Sequence, residues 1–239
     1  MLDNVSHLCF DKDGVIIDVH KYWMHTTKLR VSFLKERFNF NAEDELLFLT
    51  DLGADLKKGK LKKMGPSGYH PRPVIVEQVI TTASKIGLNF KYNQINKIFS
   101  EIDNYQQEKN DYKIELIDGI KEFLEFSYDT FTLTIFTSDR KKNALKALAD
   151  NKIDNFFSYV IGGDNVEYQK PNPEGVFKAC EYVNIRPLET AYISDTSSDL
   201  YMAKSAKIAL KVGVTTGLDD ETQLKNISDI MVENLMELI

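Results

Sequence analysis

From Ile117 to the C-terminal tail, short apolar runs alternate with helical patterns, and this rhythm restricts the fold more than any other feature of the chain. Phe131 to Phe136 interleaves threonine with large apolar residues and stops at Thr137-Ser138-Asp139. Tyr159–Ile161, Ala191–Ile193 and Ile208–Val212 are further short apolar runs. Helical stretches over Asn143–Ala149, Pro173–Val183 and Ser198–Ala206 alternate with them, and the tail adds one more strand and helix. Near the N-terminus, Val5–Phe10 is a run of the same kind, ending at Asp11-Lys12-Asp13-Gly14. Short strands joined through helices must run parallel, with helices covering both faces of the sheet. The expected fold is therefore α/β, a Rossmann-like parallel sheet core. In such sheets ligands collect beyond the carboxyl ends of the strands. Asp11, Asp13, Thr137 and Asp195 stand at those ends.

Between the first strand and the rest, the alternation is interrupted. His20–Phe38, Asn41–Leu56, Val74–Ile86 and Tyr92–Gln107 all read as helices, with Asn41 a suitable N-cap ahead of acidic residues. We read residues 18–112 as an inserted, mainly helical cap domain and residues 1–17 and 113–239 as the core, with linkers near 15–20 and 108–115. Residues 57–73 break the helical pattern. Lys57, Lys58, Lys60, Lys62, Lys63 and Arg72 occur there among glycines and prolines, with no acidic residue. This is a long loop or a pair of short strands. It either recruits a second anionic group or is a solvated lysine face, and the two readings stand level. His20, Tyr22, Trp23 and His25 follow the first linker and could face a cleft. Such aromatics more often pack the core of their own domain.

The chain of 239 residues accommodates one core and one inserted subdomain, and an apolar share of 43% with 14 Phe and 11 Tyr argues against disorder. A formal net charge of −6 argues against a general nucleic-acid binder. Cys9 and Cys180 read as two buried thiols rather than a secreted disulfide framework. The N-terminus shows no basic-then-apolar leader, and no apolar run reaches membrane-spanning length, so the expected compartment is the cytoplasm.

The polar strand ends hold the chemistry. Asp11 and Asp13, two residues apart on a loop leaving a strand, can aim both carboxylates into one cleft, and Gly14 allows a tight turn that offers backbone N–H groups to an anion. Two close carboxylates resist joint ionisation unless a cation is present or one is protonated. One can then serve as nucleophile and the other as general acid and base. Alone, the tetrapeptide is more often a surface turn. Asp195 and Asp199 share one face across a strand-to-helix junction and suit either capping or magnesium. Lys170 precedes Pro171-Asn172-Pro173-Glu174, whose prolines stiffen the approach to a helix. Thr137 either donates to a phosphoryl oxygen or caps the next helix, and Ser138 beside it is a further phosphate-binding candidate.

The order of these pieces is more informative than any one of them: strand–Asp-Lys-Asp-Gly-Val, strand–Thr, Lys-Pro-Asn-Pro-Glu, strand–Ser-Asp-Thr-Ser-Ser-Asp. In this order the chain resembles the haloacid dehalogenase superfamily, in its phosphatase branch with a cap between the first two motifs, over residues 5–17 and 115–217. The resemblance implies that Asp11 attacks phosphorus, that Asp13 protonates the leaving alcohol and then activates water, and that Thr137 and Lys170 hold the transferring group. It also implies that Asp11, the Asp13 carbonyl and Asp195 bind Mg²⁺, with Asp199 close by. Four carboxylates could not receive a phosphate dianion without Lys170 and a divalent cation.

Three positions depart from the usual pattern: Ser194 replaces a glycine before Asp195, Asp118 replaces a proline, and Val15 replaces a frequent threonine. Asp13 separates the chain from the dehalogenases, which lack a carboxylate there. The expected activity is Mg²⁺-dependent hydrolysis of a small phosphorylated metabolite, a sugar or organic-acid phosphate. A phosphomutase of the same fold and a non-catalytic phospholigand sensor are the alternatives. Oligomeric state is not legible.

Overall fold

The computed structural model describes residues 2, 4–109 and 114–239. Its elements along the chain are β1 (His7–Phe10), α1 (Val19–Phe38), α2 (Ala42–Asp51), β2 (Ala54–Asp55), β3 (Lys60–Leu61), α3 (Pro66–Tyr69), α4 (Arg72–Lys85), α5 (Tyr92–Lys109), α6 (Ile120–Ser127), β4 (Thr132–Phe136), α7 (Lys141–Asp150), β5 (Tyr159–Ile161), α8 (Glu174–Val183), β6 (Thr190–Ser194), α9 (Ser197–Ser205), β7 (Leu210–Val214), α10 (Glu221–Ile227) and β8 (Ile230–Val232). The chain divides into two compact units, Met1–Asp18 with Ile114–Ile239, and Val19–Lys113. The second expected linker, 108–115, includes residues 110–113, which lie outside the described residues.

In the first unit, six strands form one sheet in the order β5-β4-β1-β6-β7-β8, and every neighbouring pair is parallel. The order reverses at β1, which pairs with β4 on one side and β6 on the other. Alternation along β1 sends Leu8 and Phe10 to one apolar cluster, with Phe123, Ile135, Ala147 and Ile193. Cys9 goes to the cluster on the other face, with Phe136, Ala179, Tyr192 and Leu200. Each large side chain fully buried this way stabilises the fold by about 1.5–3 kcal/mol. Both cysteines are free and buried. Burial pushes the Cys9 thiol up to about 12.

A histidine is sealed into the sheet. His7 is fully buried, its Nδ1 3.0 Å from the Thr190 hydroxyl and its Nε2 2.7 Å from that of Thr134. Both ring nitrogens thus have partners on the flanking strands, which offsets the cost of hiding them.

The chain leaves and re-enters this unit at paired backbone. Ile17 bridges Leu116, the Asp18 N–H donates to the Glu115 carbonyl, and the Ile117 N–H donates to that of Ile16. An insertion here interrupts no strand of the sheet.

The second unit is helical apart from the β2–β3 hairpin. Residues 57–73 are neither one long loop nor a strand pair of their own, since they hold only β3, which pairs back onto β2 before the segment, then α3 and the start of α4. α2 stops at Asp51, five residues short of the expected Leu56, because Gly53 takes a φ of +96° and turns the chain into β2. Arg72 opens α4 rather than ending a loop. Asn41 caps α2 by accepting the N–H groups of Glu43 and Asp44. His20 accepts the Leu61 N–H, and Trp23 packs edge-to-face on Tyr22 and under the Arg30 guanidinium. These contacts lie within the helical unit. No described helix is long and apolar enough to cross a membrane.

Candidate active site

The loop after β1 is folded tightly on itself. The Ile16 and Ile17 N–H groups both donate to the Lys12 carbonyl, and the Gly14 N–H donates to that of Ile17. Gly14 sits at φ +81°, a conformation glycine adopts without penalty. Asp11 is anchored from behind, its N–H donating to the Ile193 carbonyl on β6. Its carboxylate is held by one oxygen: Oδ1 accepts the Lys12 N–H at 2.7 Å and meets the Lys170 ammonium at 2.8 Å. Among the described residues nothing donates to Oδ2. Burial pushes the Asp11 carboxyl up to about 6, with Lys170 opposing and Asp199 adding to the rise.

Lys170 bridges two carboxylates, since its ammonium also meets Asp199 Oδ2 at 2.5 Å. Burial acts to lower its proton affinity, but Asp11 and Asp199 outweigh it and hold the ammonium charged. The rings of Phe136 and Tyr192 lie 5.1 and 5.6 Å from Nζ. Glu174, the first residue of α8, fixes the approach to Lys170 by accepting the N–H groups of Glu167 and Tyr168. Lys178 and those two N–H groups hold the Glu174 carboxyl down at about 2. Asp199, in the first turn of α9, receives two further donors on Oδ2, the Tyr192 hydroxyl at 3.2 Å and the Ser194 hydroxyl at 3.4 Å.

Asp195 is wedged between two loops. A Cβ on Gly14 would lie 2.4 Å from its carboxyl carbon, and one on Gly217 only 1.7 Å from Oδ2. The Leu218 N–H donates to Oδ2 at 3.3 Å, while Oδ1 is buried with no hydrogen-bond partner. Burial, Asp11 and Asp199 together push its carboxyl well above the usual carboxylate range. A buried carboxylate oxygen without a donor, beside other carboxylates, is the environment a hard divalent cation relieves. No described group of three His, Cys, Asp or Glu side chains forms a ready-made metal cage. An ion held by Asp11, Asp195, a backbone carbonyl and water, as Mg²⁺ prefers, needs no such cage.

The structure thus brings Asp11, Lys170 and Asp199 into one ion-paired group with Asp195 alongside. Asp13 stands two residues on, its side chain 46% exposed. Thr137 and Ser138 follow β4, the other neighbour of β1. The Thr137 hydroxyl accepts the Asp139 N–H and Ser138 is exposed. No described contact ties either of them to Asp11. Several participants were not among the expected residues. Lys12 is 3% exposed and pairs with Asp13 at 2.8 Å and Asp139 at 3.4 Å. Thr216 donates to the Gly14 carbonyl at 2.6 Å. Asp219, 1% exposed, accepts the Ser197 N–H at the start of α9. A lysine between two aspartates and a Thr-Thr-Gly-Leu-Asp run after a strand were the visible signals.

Known proteins are similar to this chain in sequence and in fold. A Listeria innocua protein, pyrophosphatase PpaX, is 26% identical over 242 residues, covering 100% of this chain and 97% of its own. A phosphorylated carbohydrates phosphatase of Thermotoga maritima is 32% identical over 103 residues, 43% of this chain and 48% of its own. A Haemophilus somnus structure, named as a predicted phosphoglycolate phosphatase, superposes with a TM-score of 0.67 at 18% identity, over 98% of this chain and 96% of its own, and so shares the fold. The model of the haloacid dehalogenase-like hydrolase family matches residues 74–214, a span that holds Thr137, Lys170, Asp195 and Asp199. The chain belongs to the haloacid dehalogenase-like hydrolases.

Proposed function

We propose that the chain is a Mg²⁺-dependent phosphatase that hydrolyses a small phosphate monoester through an aspartyl-phosphate on Asp11. The observation that carries this reading is the asymmetry of the Asp11 carboxylate. Two donors hold Oδ1, and Oδ2 is left without one. A carboxylate fixed in this way presents one oxygen in one direction, which is what in-line attack on phosphorus requires. Oδ2 forms the bond to phosphorus as the bond to the leaving oxygen breaks, and Asp13 gives that oxygen a proton. Asp13, now a carboxylate, takes a proton from water, whose oxygen attacks the phosphorus. Asp11 leaves as a carboxylate and inorganic phosphate is released. Lys170 offsets negative charge on Asp11 throughout, and Asp199 fixes Lys170. Asp11, the Asp13 carbonyl and Asp195 would hold Mg²⁺, with Asp199 beside them; when bound, the ion offsets charge on the phosphoryl oxygens. Thr137 and Ser138 are the remaining phosphate ligands of this reading; the Gly14 N–H, expected from the sequence to face the anion, is instead used by the Ile17 carbonyl.

The substrates proposed are sugar and organic-acid phosphates, and the name of the Listeria relative adds pyrophosphate to the screen. The cytoplasm is the proposed compartment. The test is hydrolysis of p-nitrophenyl phosphate with and without Mg²⁺, for the wild type and Asp11→Asn, with mass spectrometry of quenched enzyme. Mg²⁺-dependent turnover, lost in the variant, with a phosphoryl group on the Asp11 peptide, is the expected result. Turnover surviving in Asp11→Asn removes Asp11 as the nucleophile.

A further inference from the structure

The Lys12 ammonium is used by neither the fold's apolar clusters nor the reaction scheme above. It is nevertheless 3% exposed, a degree of burial that a lysine reaches only with partners. Its partners are Asp13 Oδ1 at 2.8 Å and Asp139 Oδ2 at 3.4 Å. Asp139 is itself fixed, its Oδ1 accepting the Arg140 N–H at 2.7 Å and the Asn143 amide at 2.8 Å. A braced carboxylate therefore holds a buried ammonium, and the ammonium holds one oxygen of Asp13. An ammonium has three donors and no acceptor. The oxygen facing it can accept a hydrogen bond but cannot carry a proton toward it. Asp13 Oδ2 has no partner among the described residues.

We propose that Lys12 is a positioning residue for Asp13, clamping Oδ1 so that the proton given to the leaving group resides on Oδ2. This deepens the phosphatase reading and rests on it. Asp139, at the end of the neighbouring strand, is the second half of the clamp. Without the clamp the Asp13 carboxyl, 46% exposed, rotates freely and presents either oxygen. The cost then falls where protonation of the leaving oxygen matters. An alkyl phosphate, whose alkoxide is a poor leaving group, needs that proton. A p-nitrophenyl phosphate, whose phenolate departs unprotonated, does not. A purely structural role for Lys12 makes no such distinction.

The experiment measures kcat/KM for p-nitrophenyl phosphate and an alkyl phosphate, such as glycerol 2-phosphate, in wild type, Lys12→Met, Asp139→Asn and Asp13→Asn. Because kcat/KM reports only steps up to formation of the phospho-enzyme, water activation by Asp13 does not enter. Lys12→Met is expected to lose about tenfold to a hundredfold on the alkyl phosphate and less than about threefold on the nitrophenyl ester. Asp139→Asn, a more exposed change that keeps the side-chain shape, is expected to show the same selectivity to a smaller degree. It serves as the test should Lys12→Met fail to fold. Equal losses on both substrates in the folded variant, or a gain on the alkyl phosphate, overturn the proposal. Asp13→Asn separates the two levels of the argument. If it loses the alkyl substrate selectively and the clamp variants do not, the positioning role of Lys12 falls and the phosphatase reading stands. If Asp13→Asn shows no selectivity, the acid role of Asp13 falls first.

Discussion

Gly217 lies against the Asp195 carboxylate so closely that a Cβ there would sit 1.7 Å from Oδ2. With Gly14 on its other side, Asp195 has a slot with room for one orientation. Gly217→Ala must move either the loop or the carboxylate. We expect kcat/KM to fall by about a hundredfold, the usual consequence of displacing a site by about an ångström. Mg²⁺ titrations should show a raised activation constant. An alanine variant with wild-type Mg²⁺ activation contradicts the proposed role of Asp195.

The same carboxylate gives a stability prediction of opposite sign. Its folded-state proton affinity is raised above that of the unfolded chain, so the ionised form destabilises the protein at pH above the folded pKa. Asp195→Asn removes that charge. Without Mg²⁺ at pH 8, the variant should melt at a higher temperature than the wild type. Adding Mg²⁺ should raise the wild-type melting temperature, as binding to the native state alone requires, and leave the variant unchanged.

His7 predicts acid sensitivity from the end of β1 opposite to Asp11. Burial holds its imidazole down at about 4. The unfolded chain, at about 6.5, binds the proton more readily, so stability is full above that value and declines as pH falls toward 4. Between pH 6.5 and 5 the loss is about 2 kcal/mol. Urea unfolding of wild type and His7→Gln across this window isolates the contribution. The variant should start less stable and show the flatter slope.

Tyr192 and Ser194 both donate to Asp199 Oδ2, which Lys170 also meets. Tyr192→Phe removes one hydroxyl from a carboxylate that retains two donors. We expect a loss of about 1 kcal/mol in stability and a drop in kcat of a few-fold with KM little changed. Ser194→Gly also loses the acceptor for the Thr196 N–H, so α9 should fray at its start, visible as faster amide exchange at Thr196 and its neighbours. An unchanged exchange rate in that turn contradicts the assignment.

The parallel core was legible because strand periodicity and polar strand ends coincide in this chain. Asp11, Lys170, Asp195 and Asp199 were legible because they follow one another in a fixed order, and the structure brings them together. What escaped notice depended on distance in sequence. The role of Gly217 is a contact with residue 195, and that of Tyr192 a hydroxyl reaching residue 199. Lys12 meets a residue on another strand's loop. None of these has a local periodic signature. Helix α6 was missed although Ile120, Phe123, Leu124 and Ser127 share its buried face, since eight residues offer little repetition. β7 runs from Leu210 to Val214, two residues later than the apolar run suggested, because the N–H of Ile208 is used to close α9 on the Ala203 carbonyl.

The position of β1 at the reversal of strand order has a consequence for biosynthesis. The ribosome releases β1 long before β4 and β6, the two strands that enclose it. Until residue 136 has emerged, both edges of β1 lack their native partners. Until residue 194 has emerged, the β6 edge stays open and no Ile193 carbonyl exists to seat Asp11. A stalled or clipped chain therefore holds the aspartate but not the enzyme, and exposes a strand that invites the wrong neighbours. The seat of Asp11 and the second closed edge of β1 arrive together, late in translation.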